Sequence, residues 1–96
     1  MATLYKATGE IEAVKPLNGV DFTLEELQAL VGGYVEKVNL SPEQFILCDE
    51  DANSKNLPVN QNATDLWLKA FPYATLFDPV LLGPVLLFNN KDNELR

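Results

Sequence analysis

Phe22-Thr23-Leu24-Glu25-Glu26-Leu27 carries the signals that start a helix, and Gly32-Gly33 carries the signal that ends it. Thr23 can accept from the backbone amide three residues on, while Glu26 reaches back to the amide of Thr23, the reciprocal pair of a capping box. Phe22 and Leu27 occupy the two positions of a hydrophobic staple. Glycine at the stop takes up positive φ at little cost. The spacing predicts a helix over residues 24–31, with Leu24, Leu27, Leu30 and Val31 on one apolar stripe. Glu25, Glu26 and Gln28 lie outside that stripe or near the positive N-terminal end.

The flanking residues read as strands and turns. Residues 3–7 and 10–15 favour β structure and are separated by Thr8-Gly9, a two-residue turn signal, so they form a hairpin. Pro16 and Asn18-Gly19 then break the strand. Residues 34–40 alternate as a strand with Tyr34, Glu36, Val38 and Leu40 on one face, and residues 45–49 return across a turn containing Ser41-Pro42. A polar surface loop over 49–56 follows, interrupted by Leu57-Pro58-Val59-Asn60, an apolar pair held extended by its proline. Asn62 is positioned to cap a second helix over 63–71, in which Ala63, Leu66, Trp67, Ala70 and Phe71 share a stripe and which Pro72 ends. Residues 71–79 hold three aromatics, two prolines and one charge, a composition that suits packing on the core or on a partner. Residues 80–89 read as a last strand buried on both faces, with Gly83-Pro84 forcing an edge position or a bulge. The expected fold is α+β: a small, mostly antiparallel sheet of about five strands with two helices packed on it. A single domain is expected over 1–89, with a polar C-terminal tail over 90–96.

Composition excludes more than it assigns. The 96 residues are 47% apolar and 22% charged, ordinary for one globular core. Fourteen acidic residues against seven basic ones give a net charge of -7, so the overall field repels a nucleic-acid backbone and no coating of DNA or RNA is expected. Cys48 is the single cysteine and histidine is absent. No internal disulfide, no four-thiolate zinc site and no histidine-dependent triad can therefore be built, and no metal or cofactor is expected. The longest apolar stretch, Val80–Phe88, falls far short of the roughly 20 residues that span a bilayer. Met1–Lys6 lacks a secretory pattern, so a cytoplasmic protein without membrane contact is expected, and the glycosylation triplet Asn62-Ala63-Thr64 carries no weight.

Five features merit weighing as sites. Gly32-Gly33 follows a helix where phosphate-cradling loops precede one, so it reads as a stop. Asp49-Glu50-Asp51 lacks the alternating ligands, central glycine and distal glutamate of a calcium loop and reads as a solvated turn. Cys48 lies in an apolar run with no cation beside it, as a buried small hydrophobe does. The amide-rich segment around Leu57, Pro58 and Asn60 either offers donors and acceptors to a small polar ligand or a partner, or caps the following helix. The rings of Tyr34, Trp67, Phe71, Tyr73 and Phe77 either stack on a flat ligand or fill the core. The candidate ligand- or partner-binding residues are Tyr34, Leu57, Pro58, Asn60, Tyr73 and Phe77; no catalytic residue is assigned.

Three patterns in order, residues 22–36 with their Gly-Gly-Tyr, then Leu57-Pro58-Val59-Asn60, then Leu82-Gly83-Pro84-Val85-Leu86-Leu87, resemble the small domain-of-unknown-function family 3846. The resemblance covers residues 2–89, and the aromatic segment 71–79 departs from the family's usual pattern. It implies a viral, phage or mobile-element setting and a small α+β fold, with no established activity to carry over.

Two classes of function follow. The first is a non-catalytic accessory protein that acts by binding, as a homodimer or higher homo-oligomer. It would serve in counter-defence, blocking a host protein in the host cytoplasm or sequestering a nucleotide signal. The scattered cations Lys6, Lys15, Lys37, Lys55, Lys69, Lys91 and Arg96 make phosphate capture the weaker of these uses, and a basic host protein the better partner. The alternative is a small carboxylate-dependent enzyme using Asp49, Glu50 or Asp78, or a purely structural oligomeric domain.

Overall fold

A computed structural model describes residues 2–73 and 80–89. The element order is β1 (Ala2–Tyr5), β2 (Ile11–Val14), α1 (Leu24–Val31), β3 (Val35–Ser41), β4 (Gln44–Asp49), α2 (Gln61–Ala70) and β5 (Val85–Asn89). The strands form one antiparallel sheet in the order β2-β1-β5-β4-β3. The α+β expectation of five strands and two helices is met. The last strand in sequence lies at the centre, between two hairpins.

Alternation along the central strands sends side chains to two separate cores. Leu86 and Phe88 of β5, Phe45 and Leu47 of β4 and Ala2 and Leu4 of β1 face α1, which contributes Leu27 and Val31. Val85, Ile46 and Cys48 face the opposite way, against Ala63, Leu66, Trp67 and Ala70 of α2. One helix therefore covers each face, and β4 and β5 are buried on both. Phe88 is the pivot of the α1 side, stacked on Phe45 with centroids 5.1 Å apart and met edge-on by Phe22 at 5.5 Å.

Both ends of α1 are built as the sequence predicts. Glu26 N–H donates to Thr23 Oγ1, and Thr23 N–H donates to Glu26 Oε1, each at 3.3 Å. Phe22 and Leu27 share the core, and Gly32 closes the helix at φ 89°. The stripe is narrower than expected: Leu24 is exposed, and Leu30 only partly buried.

Other expectations are corrected. The first hairpin turns through three residues, Ala7-Thr8-Gly9: Gly9 N–H donates to Lys6 O, Lys6 N–H donates to Glu10 O, and Gly9 takes φ 101°. That is a tight turn followed by a left-handed bulge residue. The cap of α2 is Asn60, whose Oδ1 accepts from Ala63 N–H, so the helix begins two residues before the predicted start. Gly83-Pro84 precedes β5 instead of interrupting it, which frees β5 to bond on both sides and removes the need for an edge position. The expected tail 90–96 and most of the aromatic segment lie outside the described residues.

Truncating Phe88 removes the ring that two others pack against. Phe88→Ala is expected to cost about 3–5 kcal/mol, read as a lowered urea midpoint with an unchanged slope.

Candidate functional site

Leu57-Pro58-Val59-Asn60 runs antiparallel to Leu81-Leu82-Gly83, with Val59 bridging Leu82. Asn60 N–H donates to Leu81 O and Gly83 N–H donates to Pro58 O, both at 2.8 Å. The Asn60 side chain is fully buried, and its Nδ2 donates to Tyr5 O and to Gly83 O, each at 2.8 Å. One amide group thus fastens the end of β1, the entry to β5 and the start of α2. Both of its donors are spent within the fold, so Asn60 holds the scaffold and has no donor left for a ligand. Leu57 lies over Gly83, where an added Cβ would come within 2.7 Å of a Leu57 methyl carbon. Pro58 is exposed, with its carbonyl engaged as above.

The aromatic candidates are dispersed. Tyr34 stands before β3 and is 66% exposed; Tyr73 stands after α2 and is 85% exposed. Neither ring joins the aromatic pairs of the described residues, whereas Trp67 packs in the α2 core and leans on Phe71 at 5.9 Å. Phe77, like Asp78, lies outside the described residues.

Gly33 has a role that the helix-stop reading missed. Asp49, at the end of β4, is buried, and Lys55 Nζ donates to its Oδ2 at 2.7 Å and to Gly32 O at 3.1 Å. Lys55 thereby sets a positive charge on the negative end of α1. A Cβ on Gly33 would stand 2.5 Å from that ammonium and 3.0 Å from both Asp49 oxygens, so glycine leaves the room in which the ion pair sits. The Lys55 hydrogen bond is the chief cause that holds the Asp49 carboxyl below its ordinary range, with the Asp51 amide adding to it at 2.9 Å against the effect of burial. Asp49 is therefore an ionised structural group.

Beside it is a pocket of about 110 Å³, lined by Glu36, Cys48, Asp49 and Glu50 with Ala52, Asn53 and Val80–Leu82. Burial first, then the charges of Glu36 and Asp49, push the Cys48 thiol up to about 11. It stays a neutral thiol at pH 7, directed at Glu36 O. Among the described residues no three His, Cys, Asp or Glu side chains are grouped to hold a metal ion.

A second concavity, of about 180 Å³, lies between α1 and β2 and was not anticipated. Val14, Leu17, Ala29 and Leu30 make it apolar, with Lys15 and Glu26 beside them. Glu26 builds it: while Oε1 serves the helix cap, Oε2 accepts from Leu17 N–H at 2.9 Å and fixes the preceding loop against the helix. Asn18 shapes the rest of that loop by accepting from the amides of Val20 and Asp21. Leu17 is left 89% exposed and Val20 74%. The signal available in the sequence was two apolar residues, Leu17 and Val20, inside a turn rich in Pro, Asn and Gly.

Two results test these assignments. Asn60→Asp keeps the capping oxygen and loses both donors, so it is expected to destabilise by about 2–4 kcal/mol in urea titration, as two buried carbonyls lose their partner. Lys55→Met is expected to cost about 1–3 kcal/mol at pH 7. Because the folded state depresses the Asp49 pKa, that stabilisation is present above the unfolded value near 3.8 and is lost as pH falls through the folded value. The stability gap between wild type and Lys55→Met should accordingly close on acidification below about pH 4.

No curated protein and no solved structure matches the chain. Among the described residues no helix is long and apolar enough to cross a membrane. The sequence does match, over residues 4–95, the family described as Domain of unknown function (DUF3846). The protein belongs to that family.

Proposed function

We propose that this protein acts by binding and not by catalysis, as a viral or phage accessory protein that blocks a host protein in counter-defence. The observation that carries this reading is the open apolar groove between α1 and β2, with Leu17 held out at its rim by Glu26. Exposed apolar surface around a shaped concavity suits a protein partner, and depletion of charge at its centre suits the core of an interface. A net charge of -7 favours association with a basic partner. Capture of a nucleotide signal is less well supported, because among the described residues Lys15 is the single cation lining the groove and a phosphate wants several donors. The protein works as a homo-oligomer in the cytoplasm of the host cell.

Native mass spectrometry of the protein purified from its host reads subunit number and bound molecules together. The expected result is retention of a basic host protein that Leu17→Asp weakens at least tenfold. Leu17 is 89% exposed, so this change should move stability by no more than about 0.5 kcal/mol. A retained nucleotide would replace blocking with sequestration. Turnover on a nucleotide or glycan panel that Asp49→Asn abolishes would overturn the binding reading.

A further inference from the structure

The two edges of the sheet are finished differently. β3 carries a register shift between Asn39 and Ser41, an irregularity that discourages a further strand. β2 pairs regularly with β1 through all four of its residues and has no bulge within it. The bond from Lys6 N–H to Glu10 O sets the phase of that ladder: Glu12 and Val14 bond inward to β1, while the N–H and C=O groups of Ile11 and Ala13 point outward. Ile11 is 54% exposed.

We propose that this outer edge of β2 pairs antiparallel with β2 of a second copy of the chain, about a two-fold axis at Ala13. This rests on the self-association included in the reading above and assigns it a surface. A two-fold axis perpendicular to the sheet reverses strand direction and keeps each face on its own side, so residues of like parity come opposite one another. Two registers satisfy this with the outward groups bonded. Centring on Glu12 sets two carboxylates directly opposite, which is destabilising. Centring on Ala13 sets two methyl groups together, Glu12 opposite the partner's Val14, and Ile11 opposite the partner's Lys15.

Charge balance along the strand suits a second copy in the antiparallel sense. The strand region begins with Glu10 and Glu12 and ends with Lys15, so reversal sets the two acidic starts at opposite ends of the seam, and in the Ala13 register no acid faces an acid. Lys6, 3.6 Å from Glu12, removes further negative charge from this strip. A chain of net charge -7 thus meets itself along a stretch where acids and bases balance.

The test is a pair of cysteine variants in the full chain. In the proposed register Ala13 faces itself at a Cα separation of about 5.5 Å, within disulfide reach. Ala13→Cys should cross-link under mild oxidation to twice the chain mass of 10.7 kDa, and Glu12→Cys should cross-link at least tenfold less. Buried Cys48 serves as the internal control. Ala13→Pro removes an outward N–H without breaking a bond to β1, and should give a folded monomer by sedimentation. A wild-type monomer at every concentration, or a dimer that Ala13→Pro leaves intact, would overturn the surface. Preferential cross-linking of Glu12→Cys would overturn the register. A monomer that still retains its host protein would sink this dimer and leave the binding function standing.

Discussion

β5 is bonded to β1 on one side and to β4 on the other, and the two hairpins it separates are not neighbours in the sheet. Every contact that makes one sheet out of two hairpins therefore passes through five residues. Their pairings span nearly the whole chain, with Leu87 opposite Thr3, so a large closure entropy must be offset before the sheet exists. What offsets it is burial on both faces: Val85, Leu86 and Phe88 are almost wholly removed from water. Asn60 then fixes where the strand enters, by binding the carbonyls of Tyr5 and Gly83 from one amide.

The same arrangement decides which parts of the described chain are committed to the fold. Helices occupy both faces over the central strands, and Asp49 is committed to Lys55 and the end of α1. Toward the β2 side, among the described residues, α1, the loop holding Leu17 and the outer edge of β2 adjoin one another. Glu26 links these parts physically, since one carboxylate caps the helix and anchors the loop.

Local chemistry was readable in the residues. The capping box at Thr23 and Glu26, the stop at Gly32, the second hairpin and the α2 stripe of Ala63, Leu66, Trp67 and Ala70 are set by neighbours three or four places apart. Features that depend on distant residues were not readable. Gly33 looks like a second stop signal until Lys55 and Asp49 are seen filling its space. Asn60 and Asn62 are equally good caps by identity, and the choice falls to Asn60 because Tyr5 and Gly83 supply acceptors for its other atoms. Gly83-Pro84 argued for an edge, yet a proline placed just before a strand removes no bond from its ladder. Among the described rings, Trp67 packs in the α2 core while Tyr34 and Tyr73 stay exposed, a difference set by tertiary packing that spacing along the chain does not carry.

The central place of the last strand has a consequence for the order in which the chain is made. Both hairpins leave the ribosome before the strand that joins them, each carrying a bare inner edge, β1 in one and β4 in the other. Until residue 89 emerges, those edges are open to any extended peptide nearby, including a neighbouring nascent copy. The interval between the emergence of residue 49 and that of residue 89 therefore sets how long the half-built sheet is exposed to exchange of strands between chains.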